Sequence, residues 1–302
     1  MSNFKPINFT VPTSKRVLLF LLVTVLCYIV ASVLIAIIAY KGEMSAAKLR
    51  ISTILQDLIV FILPSLIVAM MITRRPADFL TVSKSPGLLP SILTVILIPL
   101  MAPAMNLVVV WNEGLKLPES LAGLQAVLEN LEKDANSFTT LLMSGSSVGS
   151  IIISILIIGF LTGFSEELYF RGMLQRLIAT SRTSPHLAIW CTAFIFSAVH
   201  LQIFGFIPRL LLGAIFGYLL WWSGSVWLAI IAHITNNTMV VLATKFSSPG
   251  SIDFNTIGAT STSFDRLIFW VSLCATAACL VSIYALTRNQ ADKPRFNQTV
   301  SD

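Results

Sequence analysis

Residues 148–172 read VGSIIISILIIGFLTGFSEELYFRG. An apolar run up to Phe164 is followed at once by two carboxylates, Glu166 and Glu167, and by a guanidinium, Arg171. The chain is 56% hydrophobic and only 11% charged, so charged groups beside an apolar run are scarce. Ionisable side chains at membrane depth are costly and are usually paired or functional where they occur. This stretch therefore predicts a membrane helix that leads into a functional polar site.

The composition extends this prediction to the whole chain. Mean hydropathy is +0.84 over 302 residues, and a spanning helix needs about 20 mainly apolar residues. We expect an all-α, polytopic transmembrane helical bundle of about eight spans. The predicted spans cover approximately residues 17–40, 51–72, 88–111, 148–170, 186–206, 208–222, 225–243 and 266–287.

An amphipathic surface helix is expected between the third and fourth spans. Residues 112–137 carry more acidic than basic side chains, in contrast to the apolar runs on either side. Within this stretch, leucines recur at helical spacing, which is typical of a helix lying on the membrane surface. These leucines are Leu121, Leu124, Leu128 and Leu131.

The distribution of basic residues predicts the topology. Although the formal net charge is +6, Lys and Arg lie at the ends of apolar runs and form no basic stripe, so we expect no nucleic-acid partner. Four basic regions fall on one side of an eight-span bundle: the N-terminus, the 73–84 loop, the 171–182 turn and the C-terminal tail. The positive-inside bias makes that side cytoplasmic. We therefore expect an integral protein of a bacterial-type cytoplasmic membrane, with both termini in the cytoplasm.

The predicted spans divide the chain into three parts. Residues 1–147 would hold spans one to three and the amphipathic helix, without a recognised motif. Residues 148–243 would form a core of spans four to seven. Residues 244–302 would form an extramembrane loop, the last span and a charged cytoplasmic tail.

The first polar motif is Glu166-Glu167-x-x-x-Arg171. Residues four apart on a helix are neighbours, so Glu167 and Arg171 can pair, whereas Glu166 points about 100° away around the helix. Gly159 and Gly163 precede the motif with GxxxG spacing, which lets another helix pack closely. A purely structural salt bridge is the alternative.

The second motif is Phe196-x-x-x-His200 in the predicted fifth span. Residues equally far from the turn of an antiparallel helix pair lie at the same height. Because the midpoint of positions 166 and 200 falls in the turn near Arg182, Glu166 and His200 are predicted neighbours. A carboxylate beside an imidazole is suited to general-base activation of water, although a structural histidine would show the same pattern.

The third motif is His233-x-x-x-Asn237 in the predicted seventh span. The i, i+4 spacing places both side chains on one helix face, where each could donate a hydrogen bond to a developing oxyanion. Asn236 could take the place of Asn237, and polar contacts between helices are the alternative. Asp57 is an intramembrane carboxylate without an evident partner and is interpreted as a packing or accessory group.

Together, the three motifs resemble the signature of the CAAX protease and bacteriocin-processing (CPBP, or Abi) family, whose members are type II CAAX prenyl endopeptidase-like intramembrane proteases. The resemblance covers about 150–240, in the order Glu166-Glu167-x-x-x-Arg171-Gly172, Phe196-x-x-x-His200 and His233-x-x-x-Asn237. Outside this region we recognise no motif.

The resemblance implies an intramembrane endopeptidase that cleaves a peptide or a membrane-associated protein, lipidated or not. Glu166 would be the water-activating base beside His200, and His233 and Asn237 would form the oxyanion site. Glu167 and Arg171 would support the site or bind substrate.

The resemblance leaves cofactor dependence and activity open. Metal-independent hydrolysis is favoured, while zinc held by Glu166, His200 and His233 stays open. The alternative functions are a catalytically inactive scaffold, immunity or regulatory protein of the same fold, and a transporter, for which no repeated half-domain is found.

Overall fold

The computed structural model describes residues 12–40, 42–179, 184–246 and 263–288, and these residues form helices and connecting loops without strands. The predicted N-terminal segment before residue 12, the turn at Arg182, most of the 244–265 loop and the tail after Arg288 lie outside the described residues. The main helices are α1 (Thr13–Tyr40), α2 (Ala46–Ile72), α3 (Leu88–Glu113), α4 (Ala122–Leu142), α5 (Val148–Ile178), α6 (Pro185–Ala198), α7 (Phe206–Ser223), α8 (Trp227–Phe246) and α9 (Ser263–Thr287). Single helical turns also occur at Pro76–Phe79, Glu119–Leu121 and Ile203–Gly205.

The predicted polytopic bundle is confirmed. Seven helical segments in the described residues are long and apolar enough to cross a membrane, and α6 is a shorter apolar helix of 14 residues. Large apolar side chains on the outer surface are exposed, for example Leu26 on α1. Such a surface suits lipid, so the chain is an integral membrane protein.

The fifth predicted span is shorter than expected. The prediction of about 186–206 was wrong at its C-terminal end, because α6 ends at Ala198 and the chain then turns before α7 begins at Phe206. Fourteen helical residues extend about 21 Å, which is less than the roughly 30 Å of a hydrocarbon core. The loop between α6 and α7 therefore lies within the protein at membrane depth if α6 starts at a membrane surface.

Polar side chains form hydrogen bonds with the backbone N–H and C=O groups of this loop. Non-helical backbone at membrane depth is tolerated where its polar groups are buried in protein and satisfied. The Asn112 amide donates to the carbonyl of Ile203 at 2.9 Å, and its oxygen accepts from the backbone N–H of Ile207 at 2.7 Å. The Ser197 hydroxyl donates to the carbonyl of Phe206 at 2.7 Å. Leu201 adopts a left-handed conformation with φ 56°, which reverses the chain.

Helix α3 continues through Pro99 and Pro103 with support from α9. The backbone N–H of Ala104 donates to the Ser272 hydroxyl at 3.2 Å, and that hydroxyl donates to the carbonyl of Leu100 at 2.6 Å. A regular helix would join this N–H and carbonyl directly. The serine therefore bridges a gap of the kind that proline opens in a helix.

Two apolar cores flank the bundle centre. One joins α1, α2 and α5 and includes Phe20, Ile72 and Phe170. The other joins α3, α7, α8 and α9 and includes Leu97 and Leu219. Helix α5 packs against α8 between them. The polar stretch at the middle of α5 thus lies between two well-packed halves, which can hold its side chains in fixed positions.

The expected amphipathic helix is present as α4. None of its residues is buried, and Leu124 and Leu131 are exposed on its apolar face. Its C-terminal end is bound by two cations: the Arg50 guanidinium donates to the carbonyls of Leu142 and Ser144, and the Lys245 ammonium donates to the carbonyl of Met143. Cations at a helix C-terminus complement its dipole, so α4 is attached to the bundle at this end.

Candidate active site

Two π-helical segments of α5 flank the paired glutamates. They span Ile155–Thr162 and Leu168–Gln175, with the α-helical turn Gly163–Glu167 between them. π-Helical segments are rare and are often found at functional sites, because they re-aim side chains and free carbonyl groups. Glu166 retains 8% exposure while Glu167 is fully buried. The two adjacent carboxylates therefore occupy different environments.

The predicted pairing of Glu167 with Arg171 is confirmed. The Arg171 Nη1 group donates to Glu167 Oε1 at 2.6 Å, and both side chains are completely buried. Arg171 Nη2 donates to the carbonyl of Gly213 at 3.0 Å. The guanidinium carbon lies 4.5 Å from the centroid of the Phe196 ring and 5.5 Å from that of the Phe216 ring. This arginine is thus held by a carboxylate, a carbonyl and two aromatic faces.

The imidazole of His233 faces both glutamates. Its Nδ1 lies 2.8 Å from Glu167 Oε1, and its Nε2 lies 3.8 Å from Glu166 Oε2. An ionised carboxylate can only accept, so Nδ1 is the donor in the contact with Glu167 if that carboxylate is ionised, as its pairing with Arg171 favours. The 3.8 Å separation is too long for a direct hydrogen bond. A water molecule at hydrogen-bond distance from both atoms would bridge Glu166 and His233.

His200 lies in the turn after α6 and not inside a helix as predicted, because α6 ends two residues earlier. Its Nδ1 contacts the carbonyl of Phe196 at 2.7 Å. A carbonyl can only accept, so Nδ1 carries the proton, and Nε2 is an acceptor in the neutral ring. Within the described residues, Glu166 forms no hydrogen bond with His200, and its ion-pair contact is with His233. The Phe196 ring contacts both imidazoles, with centroid distances of 5.1 Å to His200 and 5.9 Å to His233.

Asn237 lies one turn beyond His233 and contacts α5. Its amide nitrogen donates to the carbonyl of Ile158 at 3.0 Å, within the first π-helical segment. Its oxygen accepts from the Asn236 amide at 3.3 Å. An amide nitrogen has two hydrogens, so one remains for a ligand while the other fixes the side chain on α5.

The Gly159/Gly163 pair is a site of close helix packing, as predicted, and Gly213 on α7 is another close approach. A Cβ atom on Gly163 would lie 3.1 Å from the backbone nitrogen of Ile234, and one on Gly159 would lie 2.7 Å from the Thr238 hydroxyl. A Cβ atom on Gly213 would lie 3.1 Å from Arg171 Nη2. These glycines let α8 and α7 approach α5, which brings His233 within reach of the glutamates.

The carboxylate of Asp57 has hydrogen-bond partners on α5, which could not be identified from the sequence. It is 1% exposed, and its carboxylate accepts from the hydroxyls of Thr162 at 2.8 Å and Ser165 at 3.0 Å. Ser165 directly precedes Glu166. Two hydroxyls spaced three residues apart just before the glutamates are the sequence signal for this contact, although nothing in the sequence indicates which helix faces them. Asp57 thus fixes the turn of α5 that carries Glu166.

The donor set does not fit a three-ligand zinc site in this structure. Among the described residues, no group of three or more His, Cys, Asp or Glu side chains is arranged to hold a metal ion. A catalytic zinc ion needs about three protein ligands at roughly 2 Å, and Glu166, His200 and His233 do not form such a set.

Comparison with known proteins matches the region that contains these residues. No curated protein and no solved structure is found to match the chain. Residues 148–239, which cover α5, α6, α7 and most of α8, match the family model described as type II CAAX prenyl endopeptidase Rce1-like. The match confirms the resemblance inferred from the three motifs. This region of the chain is therefore similar to the Rce1-like type II CAAX prenyl endopeptidases.

Proposed function

We propose that the chain is an intramembrane endopeptidase that hydrolyses a peptide bond of a membrane-associated protein or peptide, with Glu166 as the general base. The observation that carries the proposal is the contact set at the middle of α5. Glu166 Oε2 lies 3.8 Å from His233 Nε2, while Glu167, which is paired with Arg171, contacts Nδ1 of His233. Glu166 retains some exposure, whereas the supporting pair has none.

In the proposed reaction, Glu166 takes a proton from a water molecule whose oxygen attacks the peptide carbonyl carbon. The carbonyl π electrons move to oxygen, and the resulting oxyanion accepts hydrogen bonds from doubly protonated His233 and from the free amide hydrogen of Asn237. Glu166 then gives its proton to the departing nitrogen as the C–N bond breaks. The products are a carboxylic acid and an amine, so atoms and charges balance.

His200 has a supporting role in this proposal. With its Nδ1 proton donated to Phe196, its Nε2 is free to accept a hydrogen bond from the attacking water. This role retains the expected combination of Glu166 and His200 without a direct contact between them. Both side chains act on the same water molecule from different sides.

Replacement of Glu166 by glutamine tests the proposal. The substrate is a prenylated peptide ending in a CAAX sequence, the substrate named in the family description, and cleavage is followed by mass spectrometry in proteoliposomes. We expect Glu166→Gln to lower the rate by at least about a hundredfold, since general-base catalysis contributes about 10²–10⁴. The matched control is Glu113→Gln, which removes an exposed carboxylate at the end of α3 and should keep full activity.

Two outcomes would contradict the proposal. Undiminished cleavage by folded Glu166→Gln would exclude Glu166 as the base. Absence of cleavage of prenylated and unprenylated peptides by the unmodified chain would favour the inactive scaffold or regulatory alternative.

Metal dependence is tested separately with a strong chelator and metal analysis of the purified protein. We expect activity to persist, because the proposed mechanism routes no step through an ion. Loss of activity that zinc alone restores would require a different mechanism.

A further inference from the structure

A chain of polar contacts connects the surface helix α4 to the loop that carries His200. The Glu132 carboxylate on α4 accepts from the Gln202 amide at 3.2 Å, and the Gln202 oxygen accepts from Arg209 Nη2 on α7 at 2.8 Å. Gln202 lies two residues after His200, in the loop between α6 and α7. The Gln202 side chain therefore joins this loop to a helix on each side of it.

The loop needs support because part of its backbone is in an unfavourable conformation. Leu201, between His200 and Gln202, has φ 56°. The left-handed conformation is unfavourable for a residue with a Cβ atom, and it persists where the surrounding contacts hold it. Asn112 holds the backbone of the loop further along the chain. The Gln202 side chain holds the loop directly beside its left-handed residue.

Helix α4 approaches the loop across a cavity. The cavity has a volume of about 750 Å³ and is lined by Glu132, Asn136 and Thr140 from α4 and by Phe204 from the loop. No residue of α4 is buried. Because the space between α4 and the loop is largely open, apolar packing does little to fix their separation. The hydrogen bond between Glu132 and Gln202 is therefore a specific connection between them.

The carboxylate of Glu132 occupies its position at a cost in stability. Its Oε2 atom is buried and forms no hydrogen bond with the described residues. A buried acceptor without a donor costs free energy, so the stability of α4 does not explain this side chain. The charge of Glu132 interacts with the guanidinium of Arg209, which also interacts with Glu166 and His200. Costly polar groups are expected at functional sites, and this chain of contacts leads to one.

We infer that Glu132 is a positioning residue, which acts through Gln202 and Arg209 to hold the loop so that His200 Nε2 faces the attacking water. The inference rests on the proposed function, in which His200 accepts a hydrogen bond from that water. Displacement of a catalytic group by about 1 Å can lower the rate by about a hundredfold. The surface helix α4 thus contributes to catalysis, although Glu132 acts only through other residues.

The test combines Glu132→Ala with His200→Ala in the full chain, and cleavage of the prenylated CAAX peptide in proteoliposomes is measured. We expect Glu132→Ala to lower kcat about tenfold and to change KM by less than about twofold. In a chain that already carries His200→Ala, adding Glu132→Ala should change kcat by less than about twofold, because Glu132 acts through His200. Gln202→Ala should show the same dependence on His200.

Matched variants separate positioning from general damage to α4. Asp134→Ala removes an exposed carboxylate two residues further along α4 and should keep full activity. Glu132→Gln keeps an oxygen that can accept from Gln202, so it should restore much of the kcat that Glu132→Ala loses. Thermal unfolding in detergent micelles shows whether each variant is folded. Where Glu132→Ala does not fold, Gln202→Ala tests the same contact.

The chemical reactivity of His200 provides a measurement that does not depend on cleavage. Diethylpyrocarbonate modifies accessible imidazoles, and mass spectrometry measures the modification of each of the 3 histidines. We expect Glu132→Ala to accelerate the modification of His200 by at least about threefold, since a loop with fewer contacts opens more often. His186, exposed at the start of α6, is the internal reference and should react equally in both proteins.

The outcomes separate this inference from the proposed function. An unchanged kcat in folded Glu132→Ala, or a further loss of about tenfold when it is added to His200→Ala, overturns the inference and leaves the endopeptidase function in place. Equal modification of His200 in the two proteins also overturns it, whether or not the chain cleaves the peptide. Faster modification in Glu132→Ala without any cleavage by the unmodified chain rejects the endopeptidase function and retains the support of the loop by Glu132.

Discussion

At the residue scale, the two adjacent glutamates differ in exposure: Glu166 retains slight exposure, whereas Glu167 has none. Glu167 accepts hydrogen bonds from Arg171 and His233 and is completely buried. We expect Glu167→Ala to destabilise the protein by about 3 kcal/mol or more, because it leaves the Arg171 charge buried without its partner. Thermal unfolding in detergent micelles measures the effect.

Glu166→Ala is the matched comparison for Glu167→Ala. Glu166→Ala should change the unfolding temperature much less, since Glu166 has a longer ionic contact and some exposure. Equal destabilisation by the two substitutions would contradict the division of roles.

Asp57 provides a second prediction at this scale. It accepts from Thr162 and Ser165, and its removal would leave two hydroxyls without their acceptor. We expect Asp57→Ala to destabilise the protein by about 1–3 kcal/mol and to lower kcat more than it raises KM, because the turn that carries Glu166 is no longer fixed. Asp134→Ala, on the exposed surface of α4, is the matched control. Lowered stability with unchanged kcat would show a structural role alone.

At the element scale, the close approach of α5 and α8 sets the geometry of the site. We expect Gly163→Ala to cost about 1–3 kcal/mol, since its Cβ atom would meet the rigid backbone of Ile234 at 3.1 Å and push His233 away. Thermal unfolding and cleavage assays should both report a loss. Gly123→Ala is the control, because a Cβ atom there meets nothing within 4 Å. A fully active Gly163→Ala variant would show that the interface can relax.

Some contacts of the helices could be predicted from sequence spacing, whereas the end of α6 could not. The pairing of Glu167 with Arg171 and the close packing at Gly159 and Gly163 follow from i, i+4 spacing, and these predictions are confirmed. The end of α6 did not follow from hydropathy, because apolar residues continue through Val199, Leu201 and Ile203. The turn depends on Asn112, which is about 90 residues away in sequence. Local periodicity carries no information about such a contact.

At the scale of the whole molecule, the short helix α6 decides the topology. If α6 and α7 each cross the membrane, the chain crosses eight times and its two ends lie on one side. If α6 does not cross, the remaining seven spans place the ends on opposite sides. We expect the ends on the same, cytoplasmic side, in agreement with the basic residues of the connecting segments.

Reporter tags at the two ends test this topology, with protease accessibility measured in inside-out and right-side-out vesicles. Both tags should be cleaved in inside-out vesicles and protected in right-side-out ones. Opposite accessibility of the two tags would show that α6 and α7 do not both cross. A tag in the 73–84 loop, also expected on the cytoplasmic side, serves as the reference.

The helical membrane architecture, the amphipathic helix and the three polar motifs could be predicted from the sequence alone. These features depend on apolar length and on spacing within one helix, which are local properties. The contacts between these polar groups became known from the packing of the helices. It places His233 against both glutamates, gives Asp57 its partners and puts His200 in a turn. The physical reason is that contacts between helices depend on glycine packing, π-helical segments and distant side chains. The stretch at 148–172 thus predicted a polar site, and helix packing determined the partners of its side chains.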